Sequence, residues 1–295
     1  MRPFFILLLC LIFSPLAQAW NAAGHRLTAI IAWQGMSPAA REFVASALEQ
    51  HPDHARWHEK SGTGEAALIF AEASTWPDSI RRDPRFYDER RESPTPDLAG
   101  FPDTARHLDW HYADFDRDGQ RGRGQIDRQI GELTKILRST AKPGEIAWAL
   151  PWLAHLVADI HQPLHVGFSE DRGGNTQLIE NPFDAKQPFV KLHAYWDDLP
   201  GPSSLRGKKL RKQAGILLEE HRPGAQGDAA LWLRESRDLL NDVYPKAAGS
   251  VTPIIDLPYR EQAKARADRR ITEAGRRLGQ LLESIQRSRV SRGTR

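Results

Sequence analysis

The stretch from Ile146 to Ile160 limits most strongly how this chain can fold, because it is apolar nearly all round. A helix that is apolar on every side belongs inside a protein, so the stretch predicts a buried central helix. His155 and Asp159 interrupt it, one helical turn apart on the same face. An ionised carboxylate buried without a partner costs several kcal/mol. The pair therefore needs either hydrogen-bond partners or a cation.

The rest of the chain predicts a mainly α protein. Helices are expected over residues 22–34, 38–50, 64–76, 126–137, 192–198, 205–220, 228–244 and 259–288. Residues 83–104 are rich in proline and charge and predict a long surface loop, whereas Thr176 to Val190 predicts a short strand or hairpin. The sequence has no internal repeat and no long linker, so residues 20–295 are expected to form a single compact multi-helix domain with little β structure.

Residues 1–19 show the pattern of a signal peptide. Met1-Arg2 precedes an apolar run from Phe4 to Phe13, and Ala17-Gln18-Ala19 supplies a cleavage site before Trp20. Ten apolar residues are too few to span a bilayer, since about 18 to 20 are needed. We expect a secreted or periplasmic monomer without stable membrane association. The mature chain would contain no cysteine, so no disulfide can stabilise it.

The charge is unevenly distributed along the mature chain. Its 40 Lys and Arg against 38 Asp and Glu give +2, but residues 260–295 hold 11 basic and four acidic residues, a local +7. Such a tail could attract nucleic acid or an anionic surface. A solvated helix is the favoured interpretation, because Ala274, Leu278 and Ile285 belong to one apolar stripe.

A cluster of histidines and aspartates favours a metal site over a hydrogen-bonded core histidine. His165 follows soon after the His155/Asp159 pair, and His193 and Asp197 form a second pair at helical spacing. Imidazole and carboxylate ligands without thiolate suit a catalytic zinc. Cleavage before Trp20 would add its α-amino group as a further candidate ligand, because that group has a pKa of about 7.7 to 8.0.

Six segments in order carry a resemblance to a known family. They are Trp20-Asn21-Ala22-Ala23-Gly24-His25, Trp76 to Arg81, Trp110-His111-Tyr112-Ala113-Asp114, His155 to His165, Asp171 to Asn175 and Leu192 to Asp197. Together they resemble the secreted zinc-dependent single-strand nucleases of the S1/P1 type, over essentially the whole mature chain. Bacterial zinc-dependent phospholipase C is a sister group with the same fold. This chain is similar to a bacterial member of the nuclease branch.

The resemblance implies three zinc ions per chain and a ligand for each position. The implied metal ligands are Trp20, His25, Asp78, His111, His155, Asp159, His165, His193 and Asp197. Asp159 would bridge the first two ions, and Asp78, Asp159 and Arg81 would be catalytic. Tyr112 would stack on an unpaired base while Asp114 binds its edge. The implied substrates are single-stranded RNA and DNA, cut to 5′-mononucleotides, with possible 3′-nucleotidase activity.

Two other functions compete with the nuclease. Phospholipase C is disfavoured by the short spacing from Trp20 to His25 and by the final aspartate, Asp197. A non-catalytic periplasmic zinc-binding protein would not need Arg81, Tyr112 and Asp114 around its metals. Lys191 and Asp198 depart from the family pattern and leave the base preference open.

Two further features near the predicted site are weighed separately. Asp114 to Gly119 begins like a calcium loop, but Gln125 stands where a bidentate glutamate is required, so calcium binding is not expected. Among the remaining histidines, His161 is expected to matter most, because it lies beside the predicted ligands.

Overall fold

The computed structural model describes residues 20–222, 224, 226–246 and 252–293. The predicted signal peptide, residues 1–19, lies outside them. The α-helices of the described residues are α1 Ala22–Gly35, α2 Pro38–Glu49, α3 His54–Ser61, α4 Ala66–Ala73, α5 Trp76–Ser79, α6 Ile126–Ser139, α7 Pro143–Asp159, α8 Leu192–Asp198, α9 Gly207–Glu220, α10 Ala229–Asp238, α11 Leu240–Val243 and α12 Leu257–Gly293. Within this part of the chain, no helix combines the length and apolar character needed to cross a bilayer. The prediction of a mainly α fold is confirmed.

Helix α7 occupies the centre of the protein. Proline begins it at Pro143, and every residue from Ile146 to Gly167 is buried, so the predicted central helix is confirmed. Helices α1, α2, α5, α6 and α12 all pack against it. Because the chain stays buried beyond the end of α7, it delivers Asp159 and His165 into the interior.

The long helix α12 lies against α1 at close range. A Cβ atom at Gly275 would stand 2.5 Å from Ile31 Cβ, and one at Gly279 would stand 2.8 Å from the Ala32 carbonyl oxygen. Only glycine therefore allows this approach. The apolar stripe predicted for the basic helix is buried, but Arg270 and Arg277 are also only 4% exposed, so part of its positive charge faces inwards.

Two antiparallel hairpins supply the sheet structure in the described residues. Strands β1 Ala113–Phe115 and β2 Arg121–Gly124 form one, and β3 Leu178–Glu180 and β4 Phe189–Lys191 form the other. The second lies where a hairpin was predicted. The first occupies the calcium-like sequence, whose Asp116 closes the turn by accepting a hydrogen bond from Gln120 N at 2.7 Å.

Several predicted boundaries need correction. The helix predicted over 64–76 is shorter, covering Ala66–Ala73. The segment predicted as one helix over 228–244 contains two, α10 and α11, which meet at Leu239. Trp232 and Leu233 of α10 and Leu240 and Val243 of α11 are buried, so each piece turns its own apolar side to the core.

Candidate metal centre

The predicted metal-binding side chains come from six different parts of the fold. His25 lies on α1, Asp78 on α5, His111 on the 3₁₀ turn Leu108–His111, His155 and Asp159 on α7, His165 on the 3₁₀ turn Pro163–Val166, and His193 and Asp197 on α8. The structure brings them into three groups, of which the first two share His155, and within each group the candidate ligand atoms lie within 4.8 Å of one another. The groups are His25/Asp78/His155, His111/His155/Asp159 and His165/His193/Asp197.

Asp159 joins the first two groups. Its Oδ2 lies 3.1 Å from both His111 Nδ1 and His155 Nε2, and its Oδ1 lies 3.4 Å from His25 Nε2. Asp78 Oδ2 lies 3.8 Å from His25 Nε2. Because the two oxygens of one carboxylate face different histidines, Asp159 has the geometry to contact two neighbouring ions.

The third group has two histidine lone pairs facing each other. His165 Nδ1 donates to the His111 carbonyl and His193 Nδ1 donates to the Gly173 carbonyl, each at 2.6 Å. In the neutral rings the Nε2 atoms then carry lone pairs, yet they stand 3.2 Å apart. Asp197 Oδ2 lies 3.6 Å from His193 Nε2. A cation between these three atoms would relieve the repulsion.

Unpartnered buried atoms show that the first two groups also suit a metal. His25 Nε2 and Asp159 Oδ1 are buried, form no hydrogen bond within the described part of the chain and lie 3.4 Å apart. Buried polar atoms are nearly always hydrogen-bonded in native proteins, so such a concentration calls for a ligand. His155 Nδ1 donates to the Ser74 carbonyl at 2.9 Å, which directs its Nε2 into the site as in metal-binding histidines.

Burial favours the neutral form of several of these side chains when no cation is present. Burial lowers the pKa of His25, His111 and His165 well below the usual range, so these imidazoles are unprotonated and able to bind metal. Burial also raises the pKa of Asp159 to about 6 and that of Asp197 well above its usual value. A divalent cation would reverse the shift of the two carboxyl groups.

The segment around Trp20 is held firmly against the third group. The Trp20 side chain is fully buried, and its indole Nε1 donates to the Ala158 carbonyl at 3.1 Å. Asn21 N donates to the Asp197 carbonyl at 3.0 Å, and Asn21 Nδ2 donates to Asp198 Oδ1 at 2.8 Å. Asp198, which the sequence connected with base preference, thus helps to fix the Trp20–Asn21 segment.

Arg81 contacts a candidate metal ligand, and Tyr112 and Asp114 follow His111 along the chain. Arg81 Nε stands 3.1 Å from Asp78 Oδ1, and the charge of Arg81 contributes to the low pKa of His111. The Tyr112 hydroxyl donates to Asp109 Oδ1 at 2.6 Å, which fixes the orientation of the ring. Asp114 follows on β1, and burial raises the pKa of its carboxyl group to about 6.

Gln162 was not singled out as a site residue from the sequence, and His161, which was, does not face the candidate ligands. Gln162 donates from Nε2 to Asp197 Oδ1 at 2.8 Å and accepts from Leu164 N, so it orients one ligand; its place between Asp159 and His165 was the available signal. His161 turns away from the ligands. Its Nδ1 donates to the Val157 carbonyl and its Nε2 accepts from Arg277 at 2.8 Å.

Comparisons with known proteins agree with this site. The family model described as S1/P1 Nuclease matches residues 20–287. Endonuclease 1 of Arabidopsis thaliana is 30% identical over 175 residues, 58% of this chain and 51% of the relative. Endonuclease 5 of the same plant is 46% identical over 139 residues, 44% of this chain and 41% of the relative. Nuclease S1 of Aspergillus oryzae is 26% identical over 219 residues, 71% of this chain and 65% of the relative.

These pairwise matches span between about two fifths and two thirds of the relatives' own lengths. The family model, in contrast, runs from Trp20 to Arg287 and so includes every element that supplies a side chain to the three groups. This chain therefore belongs to the S1/P1 nuclease family.

Proposed function

We propose that this protein is a zinc-dependent endonuclease that hydrolyses single-stranded RNA and DNA to 5′-mononucleotides and also removes 3′-phosphates from nucleotides. The observation that carries the proposal is the set of three His/Asp groups, two of them sharing His155, in a chain of the S1/P1 nuclease family. The individual relatives named above are called endonucleases or a nuclease.

Three zinc ions per chain fit the donor set. Asp78, His111, His155 and Asp159 would hold one ion, and His165, His193 and Asp197 would hold another. His25, Asp159 and the amino and carbonyl groups of Trp20 would hold the remaining zinc ion. Bound zinc would supply a hydroxide near neutral pH, because it lowers the pKa of coordinated water to about 7, and positive charge for the phosphate.

The surrounding side chains would bind and orient the substrate. Arg81, held by Asp78, would stabilise the negative charge that develops on the phosphate during hydrolysis. Tyr112, held by Asp109, would stack on a base, and Asp114 would accept a hydrogen bond from the edge of that base. Both contacts require an unpaired base, which gives the preference for single strands.

The proposal extends to maturation and organisation. Residues 1–19 act as a signal peptide, and residues 20–295 form one nuclease domain that works as a monomer in the periplasm or outside the cell. A single cluster of buried apolar side chains containing Trp20, Leu153 and Ile285 supports the single domain. The complete absence of cysteine from residues 20–295 makes the bound metals the stabilising cross-links of this domain.

The test uses mature protein beginning at Trp20, loaded with zinc. Single-stranded RNA and DNA, duplex DNA and phosphatidylcholine are compared as substrates, with and without a chelator. Chelator-sensitive release of 5′-mononucleotides from the single strands supports the proposal. Cleavage of lipid alone would instead assign the protein to the phospholipase C branch, and zinc binding without hydrolysis would make it a binding protein.

A pair of matched variants connects the activity with the metal groups. Asp159→Asn removes the shared charge and should reduce hydrolysis at least about tenfold, as losses around metal sites commonly do. Asp118→Asn makes the same chemical change at an exposed position in the turn between β1 and β2 and should leave hydrolysis unchanged. Equal activities of the two variants would contradict the assigned role of Asp159.

A further inference from the structure

Two arginines from different elements flank the strand that carries Asp114. Arg123 lies on β2, which pairs antiparallel with β1. Arg172 lies in a loop bonded to the other edge of β1, where Phe115 N donates to the Gly167 carbonyl at 3.1 Å and Ser169 N donates to the Phe115 carbonyl at 2.8 Å. The base-binding strand thus runs between the two segments that carry these arginines.

The backbone at Arg172 is strained, and its surroundings hold it in place. Its φ is +57°, and His107 is the other non-glycine residue with a positive φ in the described residues. This conformation is unfavourable for a residue with a Cβ atom, so it persists only where neighbours enforce it. Arg172 N donates to the Ser169 carbonyl at 3.2 Å, and Asn175 Nδ2 donates to the Arg172 carbonyl at 2.8 Å.

The charges of these two arginines are not neutralised by ion pairs. Arg90 pairs with Asp109 and Arg121 pairs with Asp127, whereas Arg123 and Arg172 are exposed and form no ion pair with a carboxylate among the described residues. Both positive charges act on Asp114, whose carboxyl pKa they lower against the larger effect of burial and the opposing negative charge of Asp171. Their unneutralised charge therefore lies beside the proposed base site.

We propose that Arg123 and Arg172 bind the phosphate next to the one being cleaved, so that the enzyme favours strands over mononucleotides. This inference rests on the proposed function, in which the metals and Arg81 take the cleaved phosphate. A nucleic-acid strand whose base contacts Tyr112 and Asp114 would continue past the exposed side chains of Arg123 and Arg172. The phosphate next to the cleaved one would then be the anion that these arginines meet. The planar guanidinium fork suits phosphate oxygens, and exposed arginines can meet them without breaking existing ion pairs.

Binding is measured separately from cleavage. Zinc-loaded protein is titrated into a fluorescein-labelled, cleavage-resistant phosphorothioate eight-mer of thymidine, and fluorescence anisotropy is followed from about 50 to about 200 mM salt. Arg123→Gln and Arg172→Gln should each weaken binding about fivefold at low salt. Each should also reduce the slope of log affinity against log salt by about 0.7, the value for one lost phosphate contact on a single strand.

Two further variants separate charge from folding. Arg172→Lys keeps the charge and should restore most of the salt slope lost in Arg172→Gln. Arg287→Gln removes an exposed arginine that pairs with Glu283. Glu283 accepts a hydrogen bond from Ser37 N, which follows the carboxyl end of α1, whereas His25 lies near the amino end of that helix. This control should bind the eight-mer like the unaltered protein.

Thymidine 5′-monophosphate, measured by competition, identifies which phosphate is involved. Its affinity should be unchanged in Arg123→Gln and Arg172→Gln, because it has no adjacent phosphate. An unchanged salt slope, or an equal loss of affinity for the monophosphate and the eight-mer, would overturn the inference. Unaltered protein that binds the eight-mer with the expected slope but cleaves no single strand would defeat the proposed function while upholding the phosphate contact.

Discussion

Removing the metal should lower the melting temperature of protein beginning at Trp20 by roughly 8 to 16 °C for each zinc site that is emptied. Without a cation, His25 Nε2 and Asp159 Oδ1 are buried without a hydrogen bond, and such atoms each cost about 1–3 kcal/mol. Zinc present at about a thousand times its dissociation constant contributes roughly 4 kcal/mol from one site. Domains of this size change their melting temperature by about 2–4 °C per kcal/mol, which gives the expected range.

Scanning calorimetry of chelator-treated protein, with zinc then added back stepwise, measures this shift. The melting temperature should rise with free zinc concentration, since only the folded state gathers the ligands. Asp197→Asn should reduce the rise, and Asp118→Asn, in the exposed turn, should preserve it. A melting temperature that stays constant after verified removal of all metal would refute the argument that the buried ligand atoms need a cation.

Three further predictions concern the chain start, the base site and a buried histidine. One extra residue left before Trp20 should lower kcat/KM at least about tenfold by blocking the terminal amine, and an equally active extended protein would exclude the amine as a ligand. Burial raises the pKa of Asp114 to about 6, so KM for single strands should rise as the carboxylate is protonated below that pH, and Asp114→Asn should abolish this rise; an identical rise in the variant would assign it elsewhere. Burial, and to a smaller extent the positive charges of Arg270 and Arg277, hold the pKa of His161 well below 6.5 in the folded state. Below about pH 6.5 the unfolded chain therefore binds one more proton than the folded protein does. The free energy of unfolding should decrease by up to about 1.4 kcal/mol for each unit by which the pH is lowered in that range. When the free energy of unfolding is measured with urea at several pH values, its slope against pH should be smaller in His161→Gln by that amount. Equal slopes against pH in the two proteins would disprove the assignment.

The sequence predicted those elements whose pattern is local. Helix α7 was recognisable because its apolar residues surround the axis, and His155 and Asp159 stood out against them. The β1–β2 hairpin was not recognised, since its strands have three and four residues and β2 alternates only Arg and Gly. Strand β1 is also bonded to the 167–169 segment, and no local sequence pattern predicts that contact.

The candidate site shows the same division between local and distant information. Residue types and spacing indicated which imidazoles and carboxylates would gather. The partners that orient them include the carbonyl oxygens of Ser74 and Gly173, and every residue has a carbonyl. Which carbonyl meets which imidazole is decided by the packing of distant segments, so the tautomers of the histidines become assignable only in three dimensions.

His111 connects two metal-binding groups through different atoms. Its imidazole faces Asp159 and His155, while its carbonyl oxygen accepts the hydrogen bond that orients His165. An ion that fixes the His111 ring also fixes that carbonyl, and so prepares the third group for its own ion. The coupling is reciprocal, because each occupancy lowers the ordering cost of the other. Metal uptake should therefore be cooperative, with empty and fully loaded molecules outnumbering partly loaded ones.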